Sequence, residues 1–162
     1  IKGLEKLNII KESKKYNEYS MIGADVPVFL YGKNAIVEGI GDEITYYDVP
    51  KYFFLLVKPQ VNISTRRMFN KININLLNNN RNNDLLINDF EDIAIQEHIE
   101  IKNLLSRMSK TKECLAARMT GSGSCCFAIY NNIKNAIEAQ DDIKVQFPNL
   151  WSFVGENNTM NS

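Results

Sequence analysis

The chain has 162 residues, 44% of them apolar, and 19 Lys plus Arg against 19 Asp plus Glu, so its net charge is zero. That length fits one domain, or one domain with a piece of another. The charge balance excludes the broad basic footprint of a nucleic-acid binder and the polybasic patch of a membrane-surface protein.

No charged segment leads into an apolar one at the start, so no secretory signal is expected. The longest purely apolar run, Phe53 to Val57, is far too short to span a bilayer. The 21 Asn, 19 Ile and 14 Lys reflect AT-rich codons before they reflect function. The first residue is Ile1 rather than Met, which reads as a processed chain or a fragment.

Residues 1–20 carry Leu4, Leu7, Ile10 and Tyr16 at loosely helical spacing and read as a short helix. Gly23-Ala24-Asp25-Val26-Pro27 reads as a turn, because Pro27 biases Val26 away from helix. Val28–Tyr31 and Ala35–Glu38 are β-like runs that a turn at Tyr31-Gly32-Lys33-Asn34 would join as a hairpin. Gly39 and Gly41 mark a second break. Residues 51–57 (KYFFLLV) read as a buried strand ended by Pro59. A helix over Arg66–Asn70 would be capped by Ser64 or Thr65.

Residues 71–83 are Asn-rich and low in complexity, and read as an exposed loop. Asn88 or Asp89 would cap a long helix with apolar positions from Phe90 to Met108. Its acidic residues come early and its basic ones late, as the helix dipole favours. Ala116–Thr120, a glycine turn, and the strand Cys125–Tyr130 follow. Asn131 or Asn132 would cap a helix through about Gln140, with Val145–Phe147 and Trp151–Val154 as candidate strands. The tail from Glu156 is polar and reads as frayed. This mixed order favours an α+β sandwich, an antiparallel sheet with helices on one face, with a domain boundary near Tyr47–Pro50.

Cys114, Cys125 and Cys126 are an odd number without CxxC spacing, which argues against a disulfide framework. Cys125 and Cys126 lie in the strand-like CCFAIY, where a free Cys is a small hydrophobe. His98, the single histidine, reads as a helix-edge residue and leaves little material for a histidine metal site or nucleophile triad.

Three features could carry chemistry. Thr120-Gly121-Ser122-Gly123-Ser124 could turn backbone N–H groups toward an anion, or be only a turn. Asp25, a lone carboxylate among small and apolar neighbours, is either paired and structural or functional. A single Asp can orient and deprotonate a hydroxyl, which suits phosphoryl transfer. Ser64-Thr65-Arg66-Arg67 could meet a phosphate or polar ligand, or be a helix cap followed by surface arginines.

Taken together, MIGADVPVFLYGKNAIVEGIGDEI, the strand–Pro–VNIST segment, INDFE and RMTGSGSCCFAIY appear in one order. Over about residues 5 to 155 that order resembles the GHMP kinase superfamily, and within it the 4-diphosphocytidyl-2-C-methyl-D-erythritol kinases. The glycine motif is general to GHMP kinases, whereas GADVPVF and EGIGDEI point to this branch. The resemblance implies a two-domain α+β kinase: residues 1–48 close the N-terminal domain and residues 49–162 form the C-terminal α/β sandwich. It implies ATP and Mg²⁺ as cofactors, and phosphorylation of the 2-hydroxyl of the cytidyl-linked methylerythritol, a step of non-mevalonate isoprenoid synthesis. It implies that Asp25 is the catalytic base. Gly121, Ser122 and Gly123 match the motif that supports the phosphate loop, and Thr65 matches a residue near the substrate end of the cleft. That pathway occurs in bacteria and plastids, and the composition favours a bacterial cytoplasm, with a plastid the location in a eukaryotic host.

The family's catalytic lysine near an early strand and its long Gly/Ser-rich phosphate loop have no counterpart in these residues, whose densest glycine sites are Gly39/Gly41 and Gly121/Gly123. The expectation is the C-terminal portion of the enzyme, inactive alone and lacking its N-terminal half. The alternatives are a non-catalytic remnant or split-gene module, and another small-molecule GHMP kinase.

Overall fold

The computed structural model describes residues 19–72 and 87–157. The expected helix over 1–20 (all but its last two residues), the Asn-rich loop from residue 73 and the tail from residue 158 lie outside the described residues. The chain divides into two units: Ile1–Lys51 with Asn157–Ser162, and Tyr52–Glu156.

In the first unit, α1 (Val26–Tyr31) is followed by β1 (Ala35–Glu38) and β2 (Glu43–Tyr46), which pair antiparallel with Ala35 opposite Tyr46. The expected strand at Val28–Tyr31, and the hairpin built on it, are therefore corrected. Pro27 sits in the first turn of α1, where its fixed φ favours helix and its missing N–H costs nothing. Gly32 closes the helix at φ 67°, and its N–H donates to the Val28 carbonyl at 3.0 Å. These end signals outweigh the strand preference of the β-branched and aromatic residues between them. The hairpin instead turns through Gly39 and Gly41, both at positive φ.

The second unit is a four-stranded antiparallel sheet in the order β4–β5–β3–β6. Its strands are β3 (Phe53–Lys58), β4 (Ala116–Met119), β5 (Cys126–Tyr130) and β6 (Trp151–Glu156). Alternation fixes the register: Leu55, Val57, Ala117, Met119, Cys126, Ala128 and Tyr130 are buried on one face. Against them lie Ile101, Leu104 and Met108 of α4 (Ile99–Met108) and Ala136, Ala139 and Ile143 of α5 (Ile133–Gln146). Each large side chain buried this way contributes about 1.5–3 kcal/mol relative to exposure. The α+β architecture expected from the sequence is the observed one.

Two helical expectations are corrected. The single long helix from Phe90 to Met108 is two, α3 (Glu91–Glu97) and α4, separated at His98, whose φ of −130° and ψ of 97° are extended. No glycine or proline marks this break, so tertiary packing overrides a continuous periodic pattern. α5 is capped by Asn132, whose side chain accepts from the Asn135 N–H at 2.9 Å, and it runs to Gln146. The expected strand at Val145–Phe147 is thus the end of that helix and its cap. The buried Ala136, Ala139, Ile143 stripe carries it past Gln140, and Asp142 pairs with Arg107 of α4. Among the described residues no helix is long and apolar enough to cross a membrane.

Candidate functional site

The turn between β4 and β5 is built from its ends inward. The Thr120 N–H donates to the Cys125 carbonyl at 2.8 Å and the Gly123 N–H to the Thr120 carbonyl at 3.1 Å. Gly121 and Gly123 take φ values of 53° and 92°, which side-chain-bearing residues rarely adopt. Around Gly123 there is no room: a Cβ would lie 2.7 Å from Met119 Sδ and 2.8 Å from Ile63 Cδ1. Around Gly121 a Cβ would meet nothing within 4 Å. The N–H groups of Gly121 and Ser122 find no acceptor among the described residues.

Val61, Ile63 and the start of the following helix, α2 (Thr65–Lys71), lie against this turn. Ser64 caps α2, accepting from the Arg67 N–H at 3.4 Å, one of the two caps expected. Thr65, on the first turn, places Oγ1 2.9 Å from Ser122 Oγ, across 57 positions of sequence. The Ser124 hydroxyl donates to the Val61 carbonyl at 2.7 Å. Four of the five residues singled out from the sequence, Thr65, Gly121, Ser122 and Gly123, therefore meet in one place.

An open recess of about 330 Å³ adjoins the turn, lined in part by Asn88, Phe90, Arg118, Met119, Thr120 and Gly121. Asn88, expected only as a helix cap, and Glu91 are contributors whose role at this turn the sequence did not show. The Asn88 amide donates to the carbonyls of Met119 (2.8 Å) and Gly121 (2.9 Å), and the Glu91 carboxylate accepts from the Met119 N–H at 2.6 Å. The signal was present as the INDFE block, but its target lies about 30 positions away and no local rule links them.

Burial disfavours the thiolate form of the cysteines near the turn. Burial, reinforced by Cys125 and Glu91, pushes the Cys126 thiol up to about 12. Burial also raises Cys125, against an opposing pull from Lys58. All three cysteines stand as free thiols. Burial likewise raises Tyr130 to about 12; its hydroxyl lies 2.7 Å from Thr111 Oγ1.

Asp25 belongs to the first unit. It is the N-cap residue of α1 with helical backbone angles, but its carboxylate makes no cap bond. The side chain is exposed, so the apolar setting expected for it is corrected. Its segment is fixed from the hairpin side, because a Cβ on Gly41 would collide with the Ala24 carbonyl. This contact joins the GADVP block to the GIG turn of EGIGDEI.

No cluster of three or more His, Cys, Asp or Glu able to hold a metal occurs among the described residues. These residues offer Mg²⁺ no protein-built cage. The free N–H groups and open space at Gly121 do fit the close approach of an anion or a neighbouring loop.

Residues 69–149 match the family described as GHMP kinases C terminal. Among curated relatives, the 4-diphosphocytidyl-2-C-methyl-D-erythritol kinase of Buchnera aphidicola is 42% identical over 123 residues, covering 71% of this chain and 41% of that protein. The corresponding kinase of Wigglesworthia glossinidia brevipalpis is 38% identical over 116 residues, 68% of this chain and 37% of its own length. The chain thus spans about two fifths of the length of these relatives. A crystal structure of a 4-(cytidine 5'-diphospho)-2C-methyl-D-erythritol kinase superposes with a TM-score of 0.76 at 19% identity, covering 95% of this chain and 60% of the other. A homoserine kinase from Cytophaga hutchinsonii gives 0.57 at 19% identity, covering 80% and 49%. At those identities the two structures bear on the fold alone.

Proposed function

This chain belongs to the GHMP kinase family, and on that premise we propose that it is the C-terminal portion of a kinase acting on 4-diphosphocytidyl-2-C-methyl-D-erythritol. The reaction moves the γ-phosphoryl group of ATP to the substrate's 2-hydroxyl. The observation that carries the proposal is the meeting of Thr65 with the Gly121–Gly123 turn, in a chain whose curated relatives bear that name.

ATP supplies the phosphoryl group, and Mg²⁺, when bound with it, would offset the phosphate charge. The roles of this chain's residues follow from their chemistry. Asp25 accepts the proton of the 2-hydroxyl as that oxygen bonds to phosphorus and the bond to the ADP oxygen breaks. Its carboxylate is available for this because no cap bond engages it. The glycine turn presents backbone N–H groups beside the phosphates or the loop that wraps them, and Thr65 contacts the substrate through its hydroxyl. A bacterial cytoplasm is the proposed location.

Steady-state assay of the protein that carries this chain tests the proposal. Transfer of the ATP γ-phosphate to the cytidyl substrate, with homoserine not phosphorylated, is the expected result. Phosphorylation of homoserine instead would move the chain to another GHMP kinase.

A further inference from the structure

The INDFE block has no role in the reading above, yet two of its side chains reach the glycine turn. β4 is an edge strand of the sheet, so the backbone groups on its outer side have no neighbouring strand. At the end of β4, side chains take that strand's place. Asn88 Nδ2 donates to the Met119 carbonyl at 2.8 Å and to the Gly121 carbonyl at 2.9 Å, while its Oδ1 accepts from the Phe90 N–H at 3.0 Å. Glu91 Oε2 takes the Met119 N–H at 2.6 Å. Asparagine suits the first position because the amide both donates and accepts; an aspartate of the same shape cannot donate to the two carbonyls.

We propose that Asn88 and Glu91 are positioning residues for phosphoryl transfer. They clamp the end of β4 and the glycine turn, so that the Gly121 and Ser122 N–H groups stay available and Ser122 stays opposite Thr65. This rests on the kinase reading, and it adds the start of α3 to the parts of the chain that catalysis depends on. Neither residue need touch substrate or nucleotide.

The test uses the complete kinase carrying Asn88→Ala, Glu91→Ala and Glu91→Gln, with amide hydrogen exchange measured beside kinetics. Loosening the turn in Asn88→Ala is expected to lower kcat about ten- to a hundredfold, as small misplacements at a reacting centre do, with little change in KM for the acceptor alcohol. Exchange at Thr120 and Gly123 rises, while exchange in β3 and β5 does not. Glu91→Gln keeps an acceptor for the Met119 N–H and retains a near-wild-type kcat, whereas Glu91→Ala does not. A folded Asn88→Ala with wild-type kcat, or with unchanged exchange at Thr120 and Gly123, overturns the proposal. So does Glu91→Gln failing as fully as Glu91→Ala. If Asn88→Ala does not fold, the Glu91 pair decides, and unfolding of all three variants makes the role structural and overturns the proposal. The exchange measurement needs no substrate, so it separates the two claims: an inactive wild type sinks the kinase reading, whereas unchanged exchange sinks the clamp.

Discussion

Gly121 and Gly123 are two residues apart in one turn, yet replacing each with alanine should have unequal effects. At Gly123 the φ of 92° lies outside the small left-handed region open to L-residues, at a cost of about 1–3 kcal/mol. The added Cβ would also press on Met119 Sδ at 2.7 Å and Ile63 Cδ1 at 2.8 Å, and such overpacking costs about 1–3 kcal/mol more. Met119 is itself buried in the core, so it has little freedom to withdraw. A loss of roughly 2–6 kcal/mol follows, a large part of the roughly 5–15 kcal/mol that holds a domain folded. At Gly121 the φ of 53° lies within the left-handed region, and the Cβ meets nothing within 4 Å. The left-handed cost of about 1–2 kcal/mol is there partly offset by the lower entropy of the unfolded alanine chain, about 0.4–1 kcal/mol. In a unit of this size each kcal/mol moves Tm by about 4–8 °C. Thermal unfolding followed by circular dichroism should place Gly123→Ala roughly 8–48 °C below wild type, and Gly121→Ala within about 13 °C of it. If the two variants melt together, the packing of the turn against Met119 and Ile63 is not what fixes its shape.

Thr65→Val removes an exposed hydroxyl contact of 2.9 Å to Ser122, worth at most about 1 kcal/mol of stability. A substrate-contacting Thr65 should nevertheless show about a tenfold loss in kcat/KM for the cytidyl substrate, the equivalent of one lost hydrogen bond. An unchanged kcat/KM would restrict Thr65 to a local structural contact. Alkaline pH should destabilise the fold through Cys126 and Tyr130. Their folded values of about 12 lie above the ordinary 9.0 and 10.0, so the unfolded chain gives up these protons first. The stabilisation is complete below the ordinary values and falls away as pH rises toward 12. Urea midpoints measured from about pH 8 to about pH 11 should fall, less steeply in Cys126→Ala. A flat profile would mean that these groups ionise freely in the folded state.

Much of the second unit was legible because its core strands are short unbroken apolar runs. FFLLV and CCFAIY place every second residue inward, and the observed buried sets Leu55/Val57 and Cys126/Ala128/Tyr130 follow that rule. TGSGS was recognisable as a turn, since glycine is what its positive φ values require. Misreadings arose where a local signal competed with a distant one. Val28–Tyr31 has strand-like composition, but Pro27 and Gly32 bracket it as a helix. His98 interrupts a periodic run that nothing local breaks. The helix expected to end near Gln140 continues to Gln146, where Asp142 finds a partner in Arg107. At the site, the hydroxyls and glycines could be named from their chemistry. Asn88 and Glu91 could not, because their importance lies in which backbone groups they reach across the fold.

The most direct measurement is turnover by Asp25→Asn in the complete enzyme. The substitution keeps the side chain's size at an exposed position that makes no cap bond, so unfolding should be unchanged. Loss of the proton acceptor should lower kcat by about 10²–10⁴-fold, the usual contribution of a general base. A folded Asp25→Asn enzyme that turns over at the wild-type rate would contradict the kinase mechanism assigned to this chain.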